Sequence, residues 1–178
     1  AELTRILKII DANSALKERV HFVKNYNEVL AKTLAQGADV SLNTPRVRNV
    51  KGERISTEAC GTSWEKDILG NTILISTSDG GAADPVTHTD VRYGADLEVR
   101  VGQSVANEAP PFLEISGQNY DEEVASLYGQ MRQAADLLDD KNKKAEHLKR
   151  QLVAYLPIIS GARMEADYLN LGFPPQNS

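Results

Sequence analysis

The stretch that decides the predicted fold is residues 119–157, which read NYDEEVASLYGQMRQAADLLDDKNKKAEHLKRQLVAYLP. Apolar residues recur in it at alternating steps of three and four, a heptad pattern that is typical of a coiled-coil seam. Asn119 and Glu122 form the pattern of a capping box at its start, and Pro157 predicts its end. The stretch therefore predicts one helix of about 37 residues, on the order of 55 Å long.

A second heptad pattern occupies the N-terminus, where residues 2–35 contain neither Gly nor Pro. Asp11, Asn13 and Ser14 interrupt its phase, and Asn or Ser is a favourable N-cap residue. The pattern predicts either one helix with a stutter or a short helix followed by a longer one, with a stop at Gly37. The predicted oligomerisation seam combines both ends of the chain: Leu16, Val20, Val23, Leu30, Leu34, Val124, Leu127, Met131, Leu138, Leu148 and Leu152.

Charge favours an antiparallel arrangement of these helices. Residues 121–140 carry six acidic residues and one Arg, whereas residues 141–150 carry five basic residues and one Glu. Two parallel copies would place the acidic halves side by side, although exposed ion pairs contribute only a few tenths of a kcal/mol each. A helical hairpin or a coiled coil is predicted, with a compact helical bundle as the alternative.

Short apolar runs and glycines fill the middle of the chain. We predict a hairpin of strands 47–50 and 54–57 around Lys51-Gly52, and further strands over 72–76, 91–93, 97–101 and 112–115. Leu97, Val99 and Val101 alternate with charged residues, which is typical of a sheet with one face in water. The predicted fold is α+β, with long terminal helices flanking a central antiparallel β module (38–118). The N-terminal helical segment covers residues 1–37, and the C-terminal region (119–178) contains the long helix, a short helix over residues 160–170 and a loose tail.

Motifs for chemistry are weak. Asp79, Asp84, His88 and Asp90 could bind a metal, but the spacing of Asp79 and Asp84 matches no EF-hand pattern, and the glycines and proline of this loop are ordinary turn formers. The single cysteine, Cys60, lacks a neighbouring histidine in sequence and is expected to be a small buried residue. Trp64 is expected to pack in the β core. No phosphate-loop, dinucleotide-binding or hydrolase motif is present in the sequence. We therefore expect no cofactor, no metal and no catalytic residue.

Arg46, Arg48, Lys51 and Arg54 cluster in the predicted hairpin and could contact a phosphate group or an acidic partner. A solvated hairpin face is the plainer interpretation, because no aromatic residues alternate with them to stack on bases. The net charge of −5 also disfavours nucleic acid as a partner. Partners are expected to be proteins, namely further copies of this chain or the other subunits of a complex.

The sequence thus predicts a structural or assembly protein that oligomerises through its helices and presents the β module to partners, in a large complex or a virion. The alternatives are a chaperone-like adaptor and an enzyme with an unrecognised site in the β module. With no signal-peptide pattern at Ala1 and no apolar run of membrane-spanning length, a cytoplasmic or virion-associated location is expected.

Overall fold

The computed structural model describes residues 2–23, 25–48, 51, 53–56, 62–78, 82, 110–159, 161 and 165. The chain divides into two compact units, residues 1–32 and 33–178. The predicted strands 91–93 and 97–101 lie outside the described residues, as does almost all of a short helix expected over residues 160–170.

The first unit contains helix α1 (Glu2–Ala12), helix α2 (Ser14–Lys17) and the start of helix α3 (Glu28–Gly37), which ends in the second unit. The predicted break at Asn13 is confirmed, whereas both the single long helix and the longer second helix are wrong, because Asn27 restarts the helix once more. Asn13 Oδ1 accepts from the Ala15 and Leu16 N–H groups at 3.1 and 3.3 Å, and Asn27 Oδ1 accepts from Leu30 N at 2.9 Å.

Helix breaks also separate members of the predicted N-terminal seam. Val20 and Val23 lie in the non-helical residues between α2 and α3, so no continuous stripe connects Leu16 with Leu34. Asn25 in the same segment has a positive φ of 57°, a conformation that an α-helix does not contain. The predicted stop at Gly37 is confirmed.

The second unit is built on three parallel strands, which corrects the predicted antiparallel β module. Strands β1 (Val40–Asn43), β4 (Ile73–Thr77) and β5 (Leu113–Ile115) pair in the order β1-β4-β5. All five residues of β4 are buried, because helices cover both faces of the sheet, as parallel sheets require. The alternation of apolar and charged residues that favoured an antiparallel sheet with one solvent-exposed face belongs to residues 97–101, outside the described part.

The predicted hairpin is confirmed. Strands β2 (Arg46–Arg48) and β3 (Arg54–Ser56) pair antiparallel, with Val47 opposite Ile55, and form a separate two-stranded sheet. Strands predicted over 72–76 and 112–115 are confirmed to within one residue by β4 and β5. Helix α4 (Thr62–Leu69) connects the hairpin to β4.

The predicted single C-terminal helix is wrong, because Asp140 divides it. Helix α5 (Tyr120–Asp139) ends there with extended backbone angles of φ −118° and ψ 101°, and helix α6 (Lys141–Ile159) begins. Asp140 Oδ1 accepts from the N–H groups of Asn142 and Lys143 at 3.0 and 3.1 Å, which satisfies the new helix start. The helix also continues two residues past Pro157, the predicted stop.

The helices pack on the chain's own sheet, in two cores. Trp64 and Ile68 of α4 and Tyr155 of α6 contact Leu74 on one face of β4. On the other face, Ala134 of α5 packs against Ile73 and Ile75. Seam residues Leu127 and Leu148 join the second core and Leu152 joins the first, whereas Met131 and Leu138 remain 52 % and 36 % exposed. Parts of the seam thus stabilise the fold of one chain.

Candidate functional site

Several residues singled out in the sequence lie where the structure does not describe them. Asp79, Asp84, His88, Asp90 and Cys60 are outside the described residues. Of the four hairpin cations, Lys51 is exposed, and the register of β2 and β3 sets Arg48 opposite Arg54. Their role in partner binding remains a prediction.

A row of polar residues crosses the sheet where its strands end. Asn43 at the end of β1 is in register with Ser76 of β4, and Ser76 is in register with Glu114 of β5. Paired residues of neighbouring strands lie on the same face of a sheet. We call Asn43, Ser76 and Glu114 the polar row.

The polar row lies on the face that α4 covers. Ser41, two residues before Asn43, donates a hydrogen bond from its hydroxyl to Asp67 of α4. Leu74, two residues before Ser76, packs against Trp64 and Ile68 of the same helix. Because side chains two residues apart in a strand share a face, Asn43 and Ser76 face α4 as well.

Helix α4 begins at the edge where the polar row lies. Its last turn is held at the opposite edge, where the Asp67 carbonyl accepts from Thr72 N at 3.0 Å, just before β4 starts. The helix therefore runs antiparallel to the strands, and its N-terminus points to their carboxyl ends. A helix N-terminus carries partial positive charge and N–H donors, and it favours anions.

Three buried side-chain atoms near this edge have no hydrogen-bond partner. The described part of the chain contains no other buried side-chain nitrogen or oxygen without a partner. The three atoms are Asn43 Nδ2, Trp64 Nε1 and Thr77 Oγ1. Trp64 belongs to the first turn of α4, is 3 % exposed and stacks at a tilt on Tyr155, with ring centroids 5.1 Å apart. A buried donor without a partner costs about 1–3 kcal/mol. The two nitrogen donors belong to the α4 face, whereas Thr77 alternates onto the other face.

The β5 end of the polar row carries the acceptor. Glu114 is half-buried, and its carboxylate accepts a hydrogen bond from the Ser78 hydroxyl, one residue beyond β4. The row therefore has an amide donor at one end and a carboxylate at the other. Helix α5 also starts at this edge, and Asn119, the residue before it, caps it. Glu122 N donates to Asn119 Oδ1 at 3.0 Å, which confirms the predicted cap.

Two titratable groups on the α4 and α6 side have shifted pKa values and lie away from the row. Burial raises the pKa of Asp67 above 3.8, and the hydrogen bond from Ser41 opposes that shift. Burial lowers the pKa of His147 below 6.5, the positive charge of Arg150 lowers it further, and the hydrogen bond to Gln151 opposes both. Asp67 and His147 each form a hydrogen bond with a side chain of the same fold, so we assign both a structural role.

Sequence reasoning missed the polar row because register joins residues that are far apart in the chain. Trp64 was expected in the core and lies there, but its unpartnered indole N–H has no signature in the sequence. The one available signal was Asn43, a polar residue that ends a short strand before Thr44-Pro45. In parallel sheets such positions meet at the edge where ligands bind.

Among the described residues, no group of three His, Cys, Asp or Glu side chains is arranged to hold a metal ion. No described helix combines the length and apolar character needed to cross a membrane. Comparison with known protein families, curated proteins and solved structures found no match for this chain.

Proposed function

We propose that the carboxyl edge of the three-stranded sheet, on the α4 face, binds a small ligand through an anionic group such as a phosphate or a carboxylate. The observation that carries the proposal is the pair of buried, unpartnered donors Asn43 Nδ2 and Trp64 Nε1. A phosphate or carboxylate has two or more oxygens, so a bound anionic group can accept from each donor and remove the cost of leaving it unpaired.

Two general properties of parallel sheets support this position. Ligands of open α/β sheets bind outside the carboxyl ends of the strands, and phosphate groups favour helix N-termini at that edge. Here the carboxyl ends of β1 and β4 and the start of α4 lie at one edge of the sheet.

Trp64 is the only tryptophan of the chain, and its emission therefore reports on the proposed site. We would titrate the protein with inorganic phosphate, pyrophosphate and acetate up to about 10 mM, ten times a millimolar dissociation constant, at constant ionic strength set with chloride. A saturable change in emission and a rise in thermal midpoint with ligand concentration are expected.

The donors are tested by matched variants. Asn43→Leu keeps the approximate volume and removes the amide, and it should weaken binding about ten-fold. Trp64→Phe keeps a ring and removes the indole N–H, and calorimetry should show a similar loss. Asn142→Ala, an exposed change on α6, serves as the control. A wild-type protein that responds to none of the three anions contradicts the proposal.

A second candidate function is self-association through apolar helix faces. Leu3, Ile6 and Ile9 recur along one side of α1 and are 47 %, 43 % and 49 % exposed. Contiguous exposed apolar surface marks interaction sites. Sedimentation at micromolar concentration tests the idea, and a monomer at all concentrations would exclude it.

A further inference from the structure

We infer that Glu114 sets the charge selectivity of the proposed anion site, so that the ligand has a negative group at its β1 end and a hydrogen-bond donor at its β5 end. The inference rests on the proposed function, because it needs the anion to bind beside Asn43 and α4. At the other end of the ligand, a hydroxyl or an ammonium group would donate a hydrogen bond to Glu114.

The polar row supplies the geometry. Asn43, Ser76 and Glu114 follow one another across β1, β4 and β5. Neighbouring strands are about 4.8 Å apart, so the two ends of the row are separated by roughly 10 Å at the backbone. A ligand whose chain extends a few bonds beyond its anionic group is long enough to span the distance from Asn43 to Glu114.

The two ends of the row differ in sign. Asn43 Nδ2 and Trp64 Nε1 are unpartnered N–H donors, and the N-terminus of α4 carries partial positive charge. Glu114 offers carboxylate oxygens, which accept hydrogen bonds and repel a second negative charge. A ligand with anionic groups at both ends is therefore disfavoured.

The hydrogen bond already made by Glu114 shows which groups it takes. The Ser78 hydroxyl donates to Glu114 Oε1, and the structure records no partner for the second oxygen within its described residues. Ser76, buried beside it in the row, donates its own hydroxyl to the Thr77 carbonyl at 3.0 Å. The second carboxylate oxygen is thus the acceptor that a ligand hydroxyl or ammonium group would meet.

The test uses four phosphate monoesters with a three-carbon chain that differ only at the far end: propyl phosphate, 3-hydroxypropyl phosphate, 3-aminopropyl phosphate and 2-carboxyethyl phosphate. Their affinities are measured by Trp64 emission for the wild type, for Glu114→Gln and for Glu146→Gln. The last variant removes one exposed charge on α6 and controls for net charge.

For the wild type we expect the hydroxyl and amino esters to bind more tightly than propyl phosphate. The carboxyl ester should bind about ten-fold more weakly than the amino ester, as expected for like against opposite charges at several ångströms. Glu114→Gln should reduce these differences to about two-fold and raise the affinity for propyl phosphate, because it removes a negative charge from the row. The affinities of the hydroxyl and amino esters then show which donor the site prefers.

Three results would overturn the inference. Equal wild-type affinities for all four esters would show that Glu114 does not contact the far end. Selectivity that persists in Glu114→Gln, or that Glu146→Gln reduces equally, would assign it to another group or to net charge. If propyl phosphate binds without discrimination, only the selectivity is overturned; if no ester binds, the anion site itself is overturned with it.

Discussion

The side chain of Gln151 completes the hydrogen bonding of Leu74, a residue 77 positions earlier in the chain: Gln151 Oε1 accepts from Leu74 N at 3.0 Å. Its Nε2 donates to the Thr72 carbonyl, also at 3.0 Å. Strand β5 pairs with β4 only from Ile75 onward. Before that point, this one amide satisfies the N–H group of Leu74 in β4 and the carbonyl of Thr72 just ahead of the strand. Helix α6 is thereby fixed to the central strand.

We expect Gln151→Leu to lower the free energy of unfolding by about 3 kcal/mol, because it leaves a buried N–H and a buried carbonyl without partners. Urea unfolding followed by circular dichroism measures the change. Gln133→Leu, at an exposed position of α5, is the control and should change stability by less than about 0.5 kcal/mol. Equal effects of the two substitutions would show that the Gln151 contacts contribute little.

The same glutamine holds His147, and this predicts a pH dependence of stability. His147 Nε2 lies 3.0 Å from Gln151 Oε1, and burial lowers the histidine pKa below its ordinary value of 6.5, with the charge of Arg150 lowering it further. Above 6.5 the ring is neutral in both folded and unfolded chains. As pH falls through 6.5, the unfolded chain binds the proton first, so the folded state loses relative stability.

Unfolding free energies between about pH 7.5 and 5.5 should therefore decrease towards the acid side, a range that stays above the titration of most carboxylates. His147→Gln should flatten the slope, whereas His21→Gln, at an exposed position of the first unit, should not. A slope that survives His147→Gln would assign it to another group.

How far the sequence predicts this structure depends on the range of each interaction. The hairpin of β2 and β3, the cap at Asn119 and the stop at Gly37 follow from neighbouring residues, and each is confirmed. The direction in which β1 and β4 pair depends on residues more than thirty positions apart, and no local pattern reports it. The polar row depends on the same pairing, so sequence reasoning could not assemble it.

Heptad spacing was misleading for a physical reason. A stripe of apolar residues reports that one side of a helix is buried, but it does not report what buries it. Here the chain's own sheet covers Leu127, Leu148 and Leu152. Asp140 also interrupts the stripe, because its carboxylate caps the start of a new helix.

Two glycines provide a matched pair of predictions. Gly117 has φ +157°, and a Cβ at this position would lie 2.6 Å from the Glu123 backbone nitrogen, so Gly117→Ala should destabilise the protein by about 2 kcal/mol or more. Gly129 lies within α5 and a Cβ there would meet nothing within 4 Å, so Gly129→Ala should stabilise it by roughly 1 kcal/mol. Thermal melts of both variants against wild type measure the signs, and equal signs would contradict this description of the β5–α5 connection.

The last prediction concerns Leu138, which belongs to the predicted seam and is 36 % exposed near the end of α5. If self-association uses this side of the helix, Leu138→Asp places a charge in an apolar contact, which is strongly unfavourable without a partner. We expect sedimentation to show loss of the oligomer while far-ultraviolet circular dichroism keeps the wild-type helix signal. Gln133→Glu adds the same charge at an exposed position of α5 and should leave assembly unchanged. Normal assembly of Leu138→Asp would exclude this residue from the contact, and loss of helix signal would instead show that Leu138 supports the fold of the single chain.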